Sequence, residues 1–181
     1  MAAAETKRAI KGGEFLVRET TADEIFIPEE FTEEQRMIQQ QCKDFLAKEV
    51  NPKLNEIDSM KDPNLMPSIL DKAGELGLLG TSVPQDLGGF GMDFNTSMLV
   101  AEVIGAGHSV AVAISAHTGI GTLPILYYGN DAQKKKYIPK LATGEWKAAY
   151  CLTEPDSGSD ANSGKTKAVL SGDEKHYLKI D

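Results

Sequence analysis

Residues 150–160 read YCLTEPDSGSD, and the chain changes character inside that short run. Tyr150, Cys151, Leu152 and Thr153 are residues that suit a pleated, half-buried strand. From Glu154 onward the chemistry is that of a turn: Pro155 removes a backbone donor and Gly158 admits a positive φ. Two readings stay open from the residues alone. One is an ordinary strand-to-turn connection. The other is an anion-holding concavity built from the Ser157 and Ser159 hydroxyls and the amides around Gly158. The neighbouring acids Glu154 and Asp156 weigh against a simple phosphate loop.

Upstream of this run the pattern is helical. Residues 1–30 carry no sustained period and read as an arm. Thr32 with Gln35 makes a capping box, and Met37, Ile38, Cys42, Phe45, Leu46 and Val50 follow at helical spacing until Pro52, which ends or kinks the run. A second helix is expected from Pro67 or Ser68, with Ile69, Leu70, Ala73 and Leu76 inward and Gly77 at its end. A third, capped by Asn95 or Thr96, runs to about Gly105; that cap also explains the Asn95-Thr96-Ser97 triplet better than glycosylation does. A fourth occupies the uncharged stretch from Ser109 to about Gly121, and a fifth spans 131–141, capped by Asp131, with Lys134, Lys135, Lys136 and Lys140 as a solvated face.

Downstream the period shortens. Strands are expected over 146–153, 165–170 and 176–180, with Gly172 and Asp173 turning between the last two. The expected architecture is mainly α: an arm (1–30), a helical domain (31–145) and the first strands of an incomplete β-domain (146–181). So few strands do not make a stable sheet alone.

Composition narrows the function. The chain has 181 residues, 41% hydrophobic and 25% charged, enough for a real core. Its 27 acidic and 19 basic residues give a net charge of −8, which argues against nucleic acid as a partner. Cys42 and Cys151 read as small buried hydrophobes, and His108, His117 and His176 have no zinc-type spacing, so no metal is expected. The glycines Gly88, Gly89 and Gly91 match neither a dinucleotide nor a Walker pattern and read as a structural turn. Ser, Thr, Gly and Pro interrupt the uncharged stretch after Glu102, so no transmembrane segment is expected. The N-terminus lacks a secretory core, and an intracellular location is the expectation: cytoplasm in a bacterium, mitochondrial matrix in a eukaryote.

The run from Cys151 through Asp160 to Ser163 resembles the signature of the acyl-CoA dehydrogenase family. VPQDLGGFGMD (83–93) resembles the family's loop between early helices, and GNDAQKKKYIPKLATGEW (129–146) the helix leading into its β-domain. The resemblance runs from about Phe31 to Asp181. The arm near Lys11-Gly12-Gly13 is similar to the very-long-chain branch.

That resemblance implies a fold of helical domain, β-domain and C-terminal helical bundle. It implies FAD-dependent oxidation of acyl-CoA to trans-2-enoyl-CoA in fatty-acid β-oxidation, with electrons passing to electron-transfer flavoprotein. It also implies a homo-oligomer. By it, Tyr150, Cys151, Leu152 and Thr153 line the flavin, Thr153 most directly through amide and hydroxyl. Gly158 and Ser159 face the phosphate-bearing part of the bound ligands, Ser159 also serving acyl-CoA. Val112 and Ala116 fall on the floor of the acyl pocket, where their small apolar side chains imply a long-chain preference; ordinary core packing is the competing account. The family's catalytic glutamate lies in the C-terminal bundle, so no residue here is assigned as catalytic and Glu154 is not the base. These 181 residues alone are accordingly expected to be inactive and to hold little FAD. A non-catalytic helical module that kept the fold, and an acyl-CoA oxidase, remain as alternatives.

Overall fold

The structure is a computed structural model, and it describes residues 9–180. Among its described residues the arm forms three short 3-10 turns and meets the first helix where the Arg36 guanidinium donates to the Pro28 and Glu29 carbonyls. Helix α1 spans Glu33–Phe45. It starts as its sequence dictates: Thr32 Oγ1 accepts from the Gln35 amide at 3.2 Å, and Gln35 Oε1 accepts from the Thr32 amide at 3.0 Å.

Pro52 does not end the helical path. A π turn, Leu46–Val50, continues α1, and Pro52 sits at the start of a 3-10 turn, Asn51–Lys53, where a missing donor costs little. Helix α2 (Leu54–Ser59) follows and closes on Met60 at φ 50. Met37, expected inward, is 66% exposed; the buried residue on that turn is Gln35.

Helix α3 (Leu65–Glu75) begins just before Pro67, which its first turn tolerates, and ends into Gly77 at φ +75. The loop 80–93 turns its amides inward. Gly88 donates to the Gln85 carbonyl, Gly89 to Pro84 and Gly91 to Val83, and a Cβ on Gly89 would lie 2.2 Å from the Val83 oxygen. These glycines serve the turn itself, which leaves no amide cradle for a phosphate.

Helix α4 (Phe94–Ile104) is capped by Asp93, not by Asn95 or Thr96. Asp93 Oδ1 accepts from the Thr96 amide at 2.8 Å, while Asn95 lies inside the first turn. The buried Gln35 amide nitrogen donates to Thr96 Oγ1 at 3.0 Å, tying α1 to α4.

After a 3-10 turn, Gly105–Gly107, and His108 at φ 51, helix α5 covers Ser109–Ser115. The expected break near Gly121 is absent. A π turn, Ala116–Gly121, absorbs the glycines, Pro124 falls in the first turn of α6 (Leu123–Tyr128), and helical structure persists from Ser109 to Tyr128. By length and composition alone that stretch is apolar enough to cross a membrane; in the fold it packs Val110, Ile114 and the polar His117 and Thr122 into the protein. Helix α7 (Asp131–Ala142) is capped by Asn130, one residue before the expected Asp131.

The main core gathers Phe45, Val50, Ile69, Leu79 and Val110 with Cys42, and a smaller cluster joins Val83, Ile138, Leu141 and Ala142. Each large side chain buried there contributes roughly 1.5–3 kcal/mol. A Cβ on Gly74 would lie 2.2 Å from the Thr143 oxygen, so α3 meets the end of α7 backbone to backbone.

Strands β1 (Lys167–Leu170) and β2 (Tyr177–Ile180) form an antiparallel hairpin with Leu170 opposite Tyr177. The strand expected over 146–153 does not form: the segment lacks a pairing partner among the described residues.

Candidate functional site

The segment leading to the loaded turn is tied down at its root. The Trp146 amide donates to the Lys140 carbonyl at 3.0 Å, its indole packs on Tyr137 and lies under Lys140 Nζ, and Lys147 pairs with Asp71 of α3. The Ala148 amide then donates to His117 Nδ1 at 3.0 Å, and His117 Nε2 meets the Leu141 carbonyl at 2.9 Å.

Beyond Ala148 the chain leaves the helical body. Tyr150 is 53% and Leu152 47% exposed, and Cys151 and Thr153 are exposed too. Among the described residues no backbone–backbone hydrogen bond engages 150–153, so the amides and carbonyls of this exposed segment are left unpaired by the protein backbone. Cys151 is thus not the buried hydrophobe expected from composition; only Cys42 is, and burial pushes its thiol up to about 11.

The turn that follows is self-contained. Glu154 and Ser157 exchange backbone hydrogen bonds at 2.9 and 3.1 Å, and the buried Ser157 hydroxyl donates to the Asp160 carbonyl at 2.8 Å. The Glu154 carboxylate accepts from the Lys165 amide at 2.6 Å and from the Thr166 amide, while Lys165 Nζ pairs with Asp156 at 2.7 Å. Glu154 therefore fastens the loop to the start of the hairpin. Ser157 is consumed inside the turn, whereas Gly158 and Ser159 lie at its surface; Gly158 keeps a negative φ, and a Cβ there would meet nothing within 4 Å.

Val112 and Ala116 occupy α5 and the start of its π turn. Val112 is 71% exposed and so lies outside the core that the described residues form, and Ala116 is half-buried. A Cβ on Gly121 would lie 2.5 Å from Ala148 Cβ, so the π turn presses against the root of the 150–153 segment.

His117 is the residue that sequence reasoning missed. Weighed as a metal ligand it had no partner at the right spacing, and among the described residues no cluster of three metal-binding side chains exists. Its signal was a lone imidazole in an uncharged, otherwise apolar stretch. A groove of about 750 Å³ between α1, Leu76, Phe90 and Met92 contains none of the candidate residues.

A flavin needs a protein edge that offers backbone donors and acceptors to its polar rim. The unpaired amides and carbonyls of the exposed 150–153 segment, with the open surface at Gly158 and Ser159, fit one side of such a group.

A helical body here runs through an exposed, unpaired segment into a two-stranded hairpin. The family model described as acyl-CoA dehydrogenase, N-terminal domain, matches residues 32–145, and the chain belongs to the acyl-CoA dehydrogenase family. A probable acyl-CoA dehydrogenase of Bacillus subtilis is 45% identical over 168 residues, which is 93% of this chain and 28% of that protein. The mitochondrial very long-chain specific acyl-CoA dehydrogenase of Macaca fascicularis is 41% identical over 78% of this chain and 23% of its own length. The crystal structure of an acyl-CoA dehydrogenase complexed with FAD, from Bacillus anthracis, superposes with a TM-score of 0.86 at 48% identity, covering 94% of this chain and 29% of that one. The chain spans less than a third of each of these relatives.

Proposed function

We propose that this chain is the N-terminal part of an FAD-dependent acyl-CoA dehydrogenase acting in fatty-acid β-oxidation. Residues 31–145 form its helical domain, 146–181 open its β-domain, and 1–30 are an arm. The observation that supports the reading best is the exposed, unpaired row of backbone groups over 150–153, rooted on the helical body.

In this reading Thr153 offers its amide and hydroxyl to the flavin ring, and the backbone of Tyr150, Cys151 and Leu152 extends that edge. Gly158 and Ser159 face the phosphate-bearing parts of FAD and acyl-CoA. When bound, FAD supplies the hydride-accepting chemistry that the side chains lack. Val112 and Ala116 present small apolar surface to the acyl chain, which favours long chains, as in the very long-chain relative. The proton-abstracting base lies outside these residues, and Glu154 is already committed to the Lys165 and Thr166 amides. Electron-transfer flavoprotein is the electron acceptor, the assembly is a homo-oligomer, and the site of action is the bacterial cytoplasm or the mitochondrial matrix.

The test uses the full-length protein that contains this chain, purified with FAD and assayed with butyryl-, octanoyl- and palmitoyl-CoA. Palmitoyl-CoA is expected to give the highest kcat/KM, and T153A to lower the FAD content. A flavin content unchanged in T153A and S159A would sink the site assignment; best turnover of butyryl-CoA would sink the long-chain assignment. The 181 residues alone, with excess FAD and an artificial acceptor, are expected to turn over nothing, and activity there would overturn placing the base elsewhere.

A further inference from the structure

His117 is 1% exposed, and its two ring nitrogens meet two backbone groups of opposite character. The Leu141 carbonyl can only accept, so Nε2 carries the proton; the Ala148 amide can only donate, so Nδ1 offers its lone pair. One tautomer of the neutral ring satisfies both. An imidazolium would set N–H against N–H at Ala148. The surroundings leave little slack: the Thr122 hydroxyl donates to the His117 carbonyl at 2.6 Å, and Gly121 lets Ala148 approach where a methyl would not fit.

We propose that His117 is a positioning latch: as the neutral imidazole it pins Ala148 to the helical body and so sets where residues 150–153 project, and on protonation it lets them go. The latch stands on its own geometry. Only its consequence for cofactor binding rests on the flavin reading of 150–153.

The charges around the ring favour the neutral form. Lys147, on the tethered segment, acts on it directly and is paired with Asp71 of α3; Lys140 of α7 is paired with Glu145; the adjoining Thr118 is uncharged and donates to the Ile114 carbonyl. Burial holds the imidazole below the usual histidine value, outweighing the opposing pull of the Leu141 carbonyl, and Lys147 adds a smaller push in the same direction as burial. With the docked-state value lowered from 6.5, the undocked ring takes up a proton that the docked ring refuses. Docking is therefore at full strength above 6.5 and weakens as pH falls below it, by at most about tenfold per pH unit for one coupled proton.

Two substitutions separate the ring's two bonds. H117N keeps an oxygen where Nδ1 accepts from Ala148; H117Q keeps an N–H where Nε2 donates to Leu141. The readouts are amide-exchange protection at Ala148 and fluorescence of Trp146, the chain's one tryptophan, from about pH 7.5 to about pH 5. Wild type is expected to lose Ala148 protection progressively below the ordinary histidine value while α5 and α7 stay protected. H117N should keep that protection at every pH, and H117Q should lack it throughout. Equal behaviour of the two variants would overturn the latch, as would a wild-type profile flat in pH; that profile decides the matter even if both variants fail to fold. In the full-length protein, H117Q is expected to lower FAD content and H117N to retain it. Loss of the flavin in T153A but in neither His117 variant would separate a failed latch from a failed flavin reading.

Discussion

Replacing Asp93 with alanine removes three contacts of one oxygen. Asp93 Oδ1 accepts from the Thr96 amide at 2.8 Å, from the Thr96 hydroxyl at 2.6 Å and, at the longer 3.4 Å, from the Gln35 side chain. Losing the helix cap costs about 1 kcal/mol. Thr96 is 2% exposed, and leaving its hydroxyl without an acceptor adds roughly 1–2 kcal/mol. The Gln35 contact is too long to add much, so D93A should cost about 2–3 kcal/mol. At about 2–4 °C per kcal/mol for a chain of this size, Tm falls by roughly 4–12 °C. D93N keeps an oxygen in place and loses only charge, which is worth about 0.3–1 kcal/mol at a helix N-terminus.

Urea titration of the chain by far-UV circular dichroism, with Trp146 fluorescence as a second probe, measures both variants and checks two-state behaviour. pH supplies an independent check. The Thr96 hydroxyl first, and its amide with it, hold the Asp93 carboxyl below its usual value of 3.8, with Gln35 adding a little. A lowered native value means the carboxylate's contribution is complete above 3.8 and fades as pH falls through the native value, so the gap between wild type and D93A narrows in acid. Equal losses in D93A and D93N, or a gap that holds constant into acid, would refute this reasoning.

Thiol labelling of the native chain should modify Cys151 at once and leave Cys42 untouched until denaturant is added, because Cys42 is fully buried with its thiol raised to about 11. Fast native labelling of Cys42 would contradict the packing of α1. E154A should speed amide exchange at Lys165 and Thr166 by about two- to tenfold, matching the roughly 0.5–1.5 kcal/mol net worth of a hydrogen bond whose exposed donor can turn to water, with helix content unchanged. Protection unaltered there would show that the loop does not depend on the Glu154 carboxylate.

The helices were legible wherever local chemistry alone decides them. Thr32 and Gln35 start α1 as a capping box does, and the Ile69, Leu70 and Ala73 stripe of α3 is buried as its spacing requires. Errors fell where two residues could serve equally. Asp93 and Asn130 won the caps over Asn95 and Asp131 because each reaches the amide three residues on, a choice of one residue that propensity does not make. The spacing predicts an end or kink at Pro52 and a helix end near Gly121, yet Pro52 and Pro124 both sit in first-turn positions where the absent donor is not missed. At the candidate site the loaded turn was visible as chemistry, but its internal wiring was not: Glu154 reaching Lys165 and His117 reaching Ala148 are contacts across the chain. The expected strand at 146–153 had strand-like residues, and what it lacked was a neighbour, which a propensity scale does not measure.

The touching backbones of Gly74 and Thr143 have a mechanical consequence. Together with the Lys147–Asp71 pair and the His117–Ala148 bond, they hold the root of the exit segment at three points. Any swing of the hairpin must then be taken up by the stretch just beyond Ala148, the same unpaired backbone that we propose as the flavin edge. Hinge and contact edge are one piece of chain, so an occupant seated there also stiffens the joint, and the looseness of the hairpin becomes a gauge of whether the edge is filled.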